Sequence, residues 1–239
     1  MRVQGYVDRE RFIESFVAGK RVLDCGAVGM TCFGSGERLD RLPHSLHWRI
    51  ARSAAESIGI DTAADVVAAA VSRFPEVDLR AVSILDADTV LAGEPAFDVV
   101  VLGDIIEHLD NPGRALDAAA AVLGPAGHVI VSCPNAFGAP NYLRFLGGRF
   151  REGRDHLAAH NKWTLTQLLA RHGFAVDGVW TALDRPPRSA WRRRFFRGFA
   201  GVLRRFPELG GTLVVVAHRD GVGDPATSGV GNPETKHDV

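Results

Sequence analysis

The sequence predicts an α/β protein in which a seven-stranded, mostly parallel sheet carries helices on both faces. Continuously apolar runs such as RVLDC (21–25), FDVVVLG (97–103) and HVIVSCPN (128–135) are the pattern of strands covered on both sides. Segments with apolar residues at helical spacing separate them, and that alternation builds parallel sheets with crossover helices. The size agrees: 239 residues, 46% of them hydrophobic, suffice for one α/β domain with a sizeable core.

The elements follow in order. DRERFIESFVA (8–18) sets Phe12, Ile13, Phe16 and Val17 at helical spacing behind Asp8, a suitable N-cap. RVLDC is the first strand. Residues 31–45, rich in Gly, Ser and Pro, read as a loop, and LHWRIARSAA (46–55) as a helix. ESIGID (56–61) is a strand ending in an acid, and TAADVVAAAVSRF (62–74) an amphipathic helix capped by Asp61 or Thr62. DLRAVSIL (78–85) is a strand followed by Asp86. After FDVVVLG, the helix NPGRALDAAAAVLG (111–124) stops at Gly124-Pro125, and Pro134 ends the next strand. Residues 136–162 lack clear periodicity and read as a long loop or lid. WTLTQLLARHG (163–173) is a helix closed by Gly173; FAVDGVWTAL (174–183) and GTLVVVAHR (211–219) are the last two strands. No long crossover helix is evident between these two, so the last strand is expected to run antiparallel. Residues 1–219 form one domain, and 220–239, nearly free of large apolar groups, read as a disordered tail.

Charge and cysteine usage narrow the function classes. With 28 basic and 28 acidic residues, overall charge gives no reason to expect a nucleic-acid partner. Cys25, Cys32 and Cys133 have neither metal-ligand spacing nor an even count, so no metal site is expected. Buried thiols in a reducing compartment fit better. The N-terminus is too charged for a signal peptide, and no apolar run reaches the ~18–20 residues of a membrane span. The expectation is a cytoplasmic protein.

Ligands of open parallel sheets bind outside the carboxyl ends of the strands. Here those ends carry Asp24 to Gly29, then Asp61, then Asp86, then Gly103 and Asp104. In VLDCGAVGM (22–30), Gly26 and Gly29 permit a tight turn and close backbone approach to a ligand. Asp61 suits a ribose diol, and Asp86 an exocyclic amine. Taken singly, a glycine pair also reads as a plain turn and a strand-end Asp as a helix cap; their succession points to a nucleotide. The dinucleotide fingerprint G-x-G-x-x-G is missing. Asp61 lies 35 residues beyond Gly26 (61 − 26), against the ~20 of a dinucleotide site, which weakens a nicotinamide-dependent oxidoreductase.

From about residue 20 to 219 the chain resembles a class I S-adenosylmethionine-dependent methyltransferase. VLDCGAVGM resembles the family's cofactor loop, SIGID its ribose-binding strand end and SILDAD its adenine-contact segment. FDVVVLGDIIEHLDNPGRAL and VLGPAGHVIVSCPN resemble its fourth and fifth strand regions, and DHLAAHNKWTLTQLLARHGF (155–174) a His-containing segment leading into the next helix. The resemblance implies a Rossmann-like fold, S-adenosylmethionine as cofactor, and a small-molecule or lipid-linked glycan-precursor acceptor. It implies cofactor contacts for Asp24, Gly26, Ala27, Gly29, Asp61, Thr62, Asp86, Ala87, Gly103 and Asp104. The usual loop, Asp-x-Gly-x-Gly-x-Gly, is altered: Val28 and Met30 replace the second and third glycines, and Gly29 is displaced by one. Val28 thereby adds a Cβ where backbone usually approaches the cofactor. The cofactor has no pyrophosphate, so the third glycine and a phosphate cradle are not needed.

A sulfonium methyl is already electrophilic, so the enzyme chiefly positions an acceptor behind it. An oxygen acceptor, the expectation here, must also lose a proton, and a histidine suits that task. His156 and His108 are the catalytic candidates, and Glu107, Asn135 and His160 the acceptor-side ones. His108 reads equally as structural, Asn135 as part of a strand terminator, and His47 as a partly exposed helical residue or a cofactor contact. In the basic insert 184–210, RSAWRRRFFRGFAGVLRRF (188–206) has seven arginines and a stripe of Trp191, Phe195, Phe199, Val202 and Phe206. It reads as an amphipathic helix packed on the sheet edge, or as a peripheral contact with an anionic membrane. A non-catalytic protein that binds S-adenosylmethionine remains the alternative to an enzyme.

Overall fold

The computed structural model describes residues 2–29, 34–148, 153, 155–182 and 201–220. Eight strands form one sheet: β1 (Gly5–Val7), β2 (Arg21–Cys25), β3 (Glu56–Asp61), β4 (Asp78–Ala81), β5 (Phe97–Gly103), β6 (Leu123–Pro134), β7 (Phe174–Ala182) and β8 (Thr212–Arg219). Their order is β1-β7-β8-β6-β5-β2-β3-β4. All neighbouring pairs are parallel except those of β8, which runs antiparallel to both β6 and β7. The sheet is Rossmann-like. The chain runs outward from β2 to β3 and β4, then returns to β5 on the other flank of β2. In sheets of this topology the ligand crevice lies at such a reversal, here at the carboxyl ends of β2 and β5.

Two-residue alternation sorts the core into layers. Val22, Val99, Val101, Ile130, Val214 and Val216 face Ile13 and Val17 of α1 (Arg9–Val17) and Ile50 of α3 (Leu46–Ser53). Leu23, Cys25, Val100, Leu102, Val129 and Val131 face Leu116 of α6 (Pro112–Val122) and Leu165 and Leu169 of α8 (Lys162–Arg171). A third cluster joins Leu42, Leu79 and the inner face of α4 (Ala64–Arg73), Val66, Val67 and Ala70. Local chemistry sets the helix starts. Asp8 accepts the Arg11 amide, and Asn161 forms a capping box with Thr164 ahead of α8.

Several expectations are corrected. The sheet has eight strands rather than seven: β1 is a three-residue edge strand held by parallel pairing to β7, too short to show periodicity. Residues 31–45 are not all loop, because α2 (Ser35–Arg41) forms there with a Glu37–Arg41 ion pair one turn apart. Strand 78–85 stops at Ala81, where Ser83 accepts the Leu85 amide and starts a 3₁₀ turn, Ile84–Asp86. α4 begins later than expected, with Ala63 at its N-cap, although Asp61 still accepts the Ala63 amide. β6 starts at Leu123, so α6 ends at Val122. The segment 136–162 contains α7 (Ala139–Leu146), which leaves Tyr142, Leu143, Phe145 and Leu146 exposed.

Residues 183–200, most of the arginine-rich run, lie outside the described residues, as does the tail beyond Asp220. The end of that run, 201–205, is helical with Leu203 buried. Among the described residues, no helix is long and apolar enough to cross a membrane.

Candidate functional site

The turn after β2 is held to the neighbouring strand: the Gly26 and Ala27 amides donate to the Ile60 carbonyl at 2.8 and 3.1 Å. Gly26 and Gly29 both have positive φ, +80° and +85°, where a side chain costs about 1–2 kcal/mol. A Cβ at Gly26 would lie 2.7 Å from Cγ2 of Ile105, whereas at Gly29 it would meet none of the described residues within 4 Å. One glycine answers to close packing, and the other is crowded by none of the described residues. Val28 does not project into that space: its side chain is buried with Leu42, Val66 and Val67. Only its backbone takes part in the turn, so Val28 supports the loop from the α4 side.

Asp61, at the end of β3, accepts the Val28 amide at 3.2 Å and the Ala63 amide at 3.0 Å. Arg38 of α2 completes the clamp. Its Nε donates to the Val28 carbonyl (3.3 Å) and its Nη2 to that of Gly29 (2.8 Å), and Nη2 lies 3.7 Å from Asp61. Arg38 was not foreseen; the only sequence signal was the Glu37–Arg41 spacing that marks its helix. Thr62 and Asp86 are exposed beside these ends, and Ala87 is fully buried.

Asp24 faces a different partner. Its carboxylate is buried and lies 3.0 Å from Nδ1 of His47 on α3. His47 is itself only 1% exposed, which corrects its reading as a partly exposed residue. Its ring fills the room left by Gly59, where a Cβ would lie 2.5 Å from Cε1. Asp24 therefore anchors α3 beneath the glycine turn.

Beyond Gly103, Asp104 is the one non-glycine with positive φ (+56°) among the described residues. Its amide donates to the Ser132 carbonyl at 2.9 Å. Its carboxylate pairs with Arg9 of α1 and accepts the Ser132 hydroxyl at 3.2 Å. This network holds the strained residue in place and brings α1 over the strand ends. Arg9, 95 residues from its partner, carries no local sequence signal.

On the other side of the crevice, Glu107 and His108 lie on a 3₁₀ turn, Ile106–His108, directly after β5. The strap 155–158 is tied to it: the Leu157 and Ala158 amides donate to the Glu107 carbonyl at 2.8 and 3.2 Å. His108 Nδ1 lies 2.9 Å from the Asp155 carbonyl. A carbonyl only accepts, so Nδ1 carries the proton and Nε2 of the neutral ring keeps its lone pair. The rings of His108 and His156 meet edge to face at 4.7 Å. Glu107, buried at 2% exposure, completes a cluster in which one ligating atom from each residue lies within 4.8 Å of the others.

Asn135 and His160 stand apart from that cluster. They pair through their backbones, and the Asn135 side chain donates to the Gly210 carbonyl (2.9 Å) and accepts the Phe137 amide (3.2 Å). Asn135 thus joins the end of β6 to the turn before β8. Burial pushes the His160 pKa below the ordinary 6.5. Burial, then the nearby Glu107 and Asp104 charges, push the Cys133 thiol well above its usual 9.0, so it is no nucleophile.

A methyltransferase-domain family model matches residues 8–179. A probable S-adenosylmethionine-dependent methyltransferase of Mycolicibacterium smegmatis is 30% identical over 166 residues, 67% of this chain and 54% of the relative. A ubiquinone biosynthesis O-methyltransferase of Alkalilimnicola ehrlichii is 31% identical over 134 residues, 55% and 49% of the two chains. The chain thus spans about half the length of the curated relatives it matches. Among solved structures, a SAM-dependent methyltransferase from Archaeoglobus fulgidus superimposes with a TM-score of 0.54 at 20% identity, covering 87% of this chain and 90% of the other. At that identity the likeness speaks for the fold alone.

Proposed function

The chain belongs to the methyltransferase-domain family, and on that premise we propose that it moves a methyl group from S-adenosylmethionine to an oxygen of a small-molecule or lipid-linked glycan-precursor acceptor. The observation that carries the reading is the turn of two left-handed glycines, Gly26 and Gly29, clamped to an acidic strand end, Asp61. No described residue lies within 4 Å of where a Cβ at Gly29 would stand, which fits a group that needs close backbone approach without a phosphate cradle.

When bound, the cofactor supplies an electrophilic methyl group on a sulfonium. Asp61 would take the ribose hydroxyls, since two amides and Arg38 hold its carboxylate in place. Gly26, Ala27 and Gly29 would approach the cofactor through backbone, with Gly103 and Asp104 along the opposite wall. Thr62 and Asp86 would border the adenine side, while Ala87 is buried in the core behind them and its amide donates to the Ile84 carbonyl, so it would not touch the cofactor. Asp24 would act one step removed, by fixing α3. His108 and His156 would face the acceptor, with a lone pair at Nε2 of His108 for its hydroxyl proton. Glu107 would hold positive charge there, while Asn135 and His160 would shape the acceptor side through the turn they join. The ubiquinone O-methyltransferase relatives favour oxygen as the acceptor atom. The exposed apolar residues of α7 favour a lipid-bearing acceptor presented at a membrane surface.

Titration calorimetry with S-adenosylhomocysteine, then transfer of labelled methyl to a panel of hydroxylated acceptors, tests this. Saturable binding and label in an ether product are expected. Binding with no transfer to any acceptor would favour a non-catalytic binding protein, and saturation with NAD instead would revive an oxidoreductase. Sedimentation with anionic vesicles tests the membrane surface; binding is expected, with the share owed to the arginines of 188–206 lost in salt, and no binding would remove the membrane from the reading.

A further inference from the structure

We infer that Glu107, His108 and His156 form a binding site for one divalent transition cation. The three residues offer a carboxylate oxygen and two imidazole nitrogens, each within 4.8 Å of the others. Ligands bound to one such ion at ~2.0–2.2 Å lie roughly 3–4 Å apart, so a small turn of one ring closes the site. Mixed nitrogen and oxygen donors suit Zn²⁺ or Mn²⁺, whereas Ca²⁺ and Mg²⁺ prefer oxygen alone.

The surroundings are organised for this. The Asp155 carbonyl takes the Nδ1 proton of His108, which leaves Nε2 as the ligating atom, the arrangement that outer-sphere hydrogen bonds impose on metal-binding histidines. Two amides of the strap bind the Glu107 carbonyl, fixing His156 against the turn that carries the other two ligands. Gly153 packs on His156 so closely that a Cβ would lie 2.5 Å from its Nε2. The Glu107 carboxylate is buried, where water screens its attraction for a cation least.

The site stands on this geometry alone; its role rests on the oxygen-acceptor reading above. Three protein ligands leave positions open on the ion, and an acceptor hydroxyl bound there is acidified. With the ion in place the His108 Nε2 lone pair is engaged on it and no longer receives the proton, which passes to solvent water instead, and the oxygen keeps the electron pair that forms the new C–O bond. The electrons of the breaking S–CH₃ bond go to sulfur.

Tag-free full-length protein stripped with EDTA and titrated with Zn²⁺ against a competing chelator tests the inference. One equivalent per chain is expected. Glu107→Gln and His156→Ala should each weaken it at least ~10-fold, and Co²⁺ should give a visible absorption band that His156→Ala abolishes. His218→Ala, in the separate group of His128, His218 and Asp177, should leave binding intact. Unchanged thermal unfolding shows that a variant is folded; if His156→Ala is not, Glu107→Gln and the Co²⁺ band decide. No saturable binding, or equal loss in His156→Ala and His218→Ala, overturns the inference. S-adenosylhomocysteine binding, measured on the same samples, keeps the two readings separate: its loss with Zn²⁺ retained would sink the methyltransferase reading and leave the cation site.

Discussion

Gly26→Ala and Gly29→Ala separate backbone strain from crowding in the glycine turn. Both positions have φ near +80°, at +80° and +85°. Each alanine pays about 1–2 kcal/mol for that conformation and recovers about 0.4–1 kcal/mol from a stiffer unfolded chain. Gly29→Ala has none of the described residues within 4 Å of its new Cβ. Its net loss is therefore about 1 kcal/mol, or about 2–4 °C in Tm for a chain of this size. Gly26→Ala also drives its Cβ to 2.7 Å from Ile105 Cγ2. Overpacking adds about 1–3 kcal/mol, for a total of about 2–4 kcal/mol and about 4–16 °C. Truncating Ile105 to Ala removes the crowding atom and leaves the dihedral unchanged. The four proteins of the Gly26→Ala/Ile105→Ala cycle, unfolded in urea, should show a favourable coupling of about 1–3 kcal/mol. Equal destabilisation by the two glycine variants, or a cycle without coupling, would refute the reasoning.

Gly59→Ala should also be damaging, because its Cβ would lie within 2.7 Å of His47, Leu79 and Ala27 at once; urea unfolding should show a loss of at least ~1–3 kcal/mol. His160 gives a pH signature. Its folded pKa lies below the ordinary 6.5, so stability is level above about pH 6.5 and falls as pH drops from there toward the folded value, where only the unfolded chain takes up the proton. In His160→Gln that part of the fall should vanish when urea midpoints at about pH 7.5 and 5.5 are compared; an identical fall in both proteins would count against it. Burial pushes the thiols of Cys25 and Cys133 well above 9.0, so a Cys32→Ser variant should resist iodoacetamide at about pH 8 until urea unfolds it. Stoichiometric labelling of the folded variant would contradict that burial.

Much of the scaffold was legible because its signals are local. The runs 56–61 and 97–103 are β3 and β5 to the residue, and Asp8 caps α1 as its position suggested. β5 is apolar on two faces and β3 carries its isoleucines, Ile58 and Ile60, on one, and a cap needs only its own first turn. β1 escaped notice because three residues carry no period, and its pairing partner begins 169 residues after its first residue (174 − 5). α2 was hidden by Ser35 and Gly36 at its start, which resemble a loop until packing against α4 supports the helix.

The site divides in the same way. Which residues follow the strands is set by order along the chain: a glycine turn, then Asp61, then Asp86 in the 3₁₀ turn after β4, then Asp104. What each one touches does not. Val28 was expected toward the ligand, yet its side chain is buried on the opposite side, with Val66 and Val67. Asp24 and His47 found one another across 23 residues, Arg9 and Asp104 across 95, and His108 and the Asp155 carbonyl across 47. By itself the sequence determined the layered sheet, the place of its crevice and the candidate groups around it, since periodicity and turn chemistry act over a few residues. Only the tertiary structure decided which carboxylates are spent on anchoring helices and which remain at the crevice. Charge pairing and burial depend on distance in space, which residue spacing along the chain does not encode.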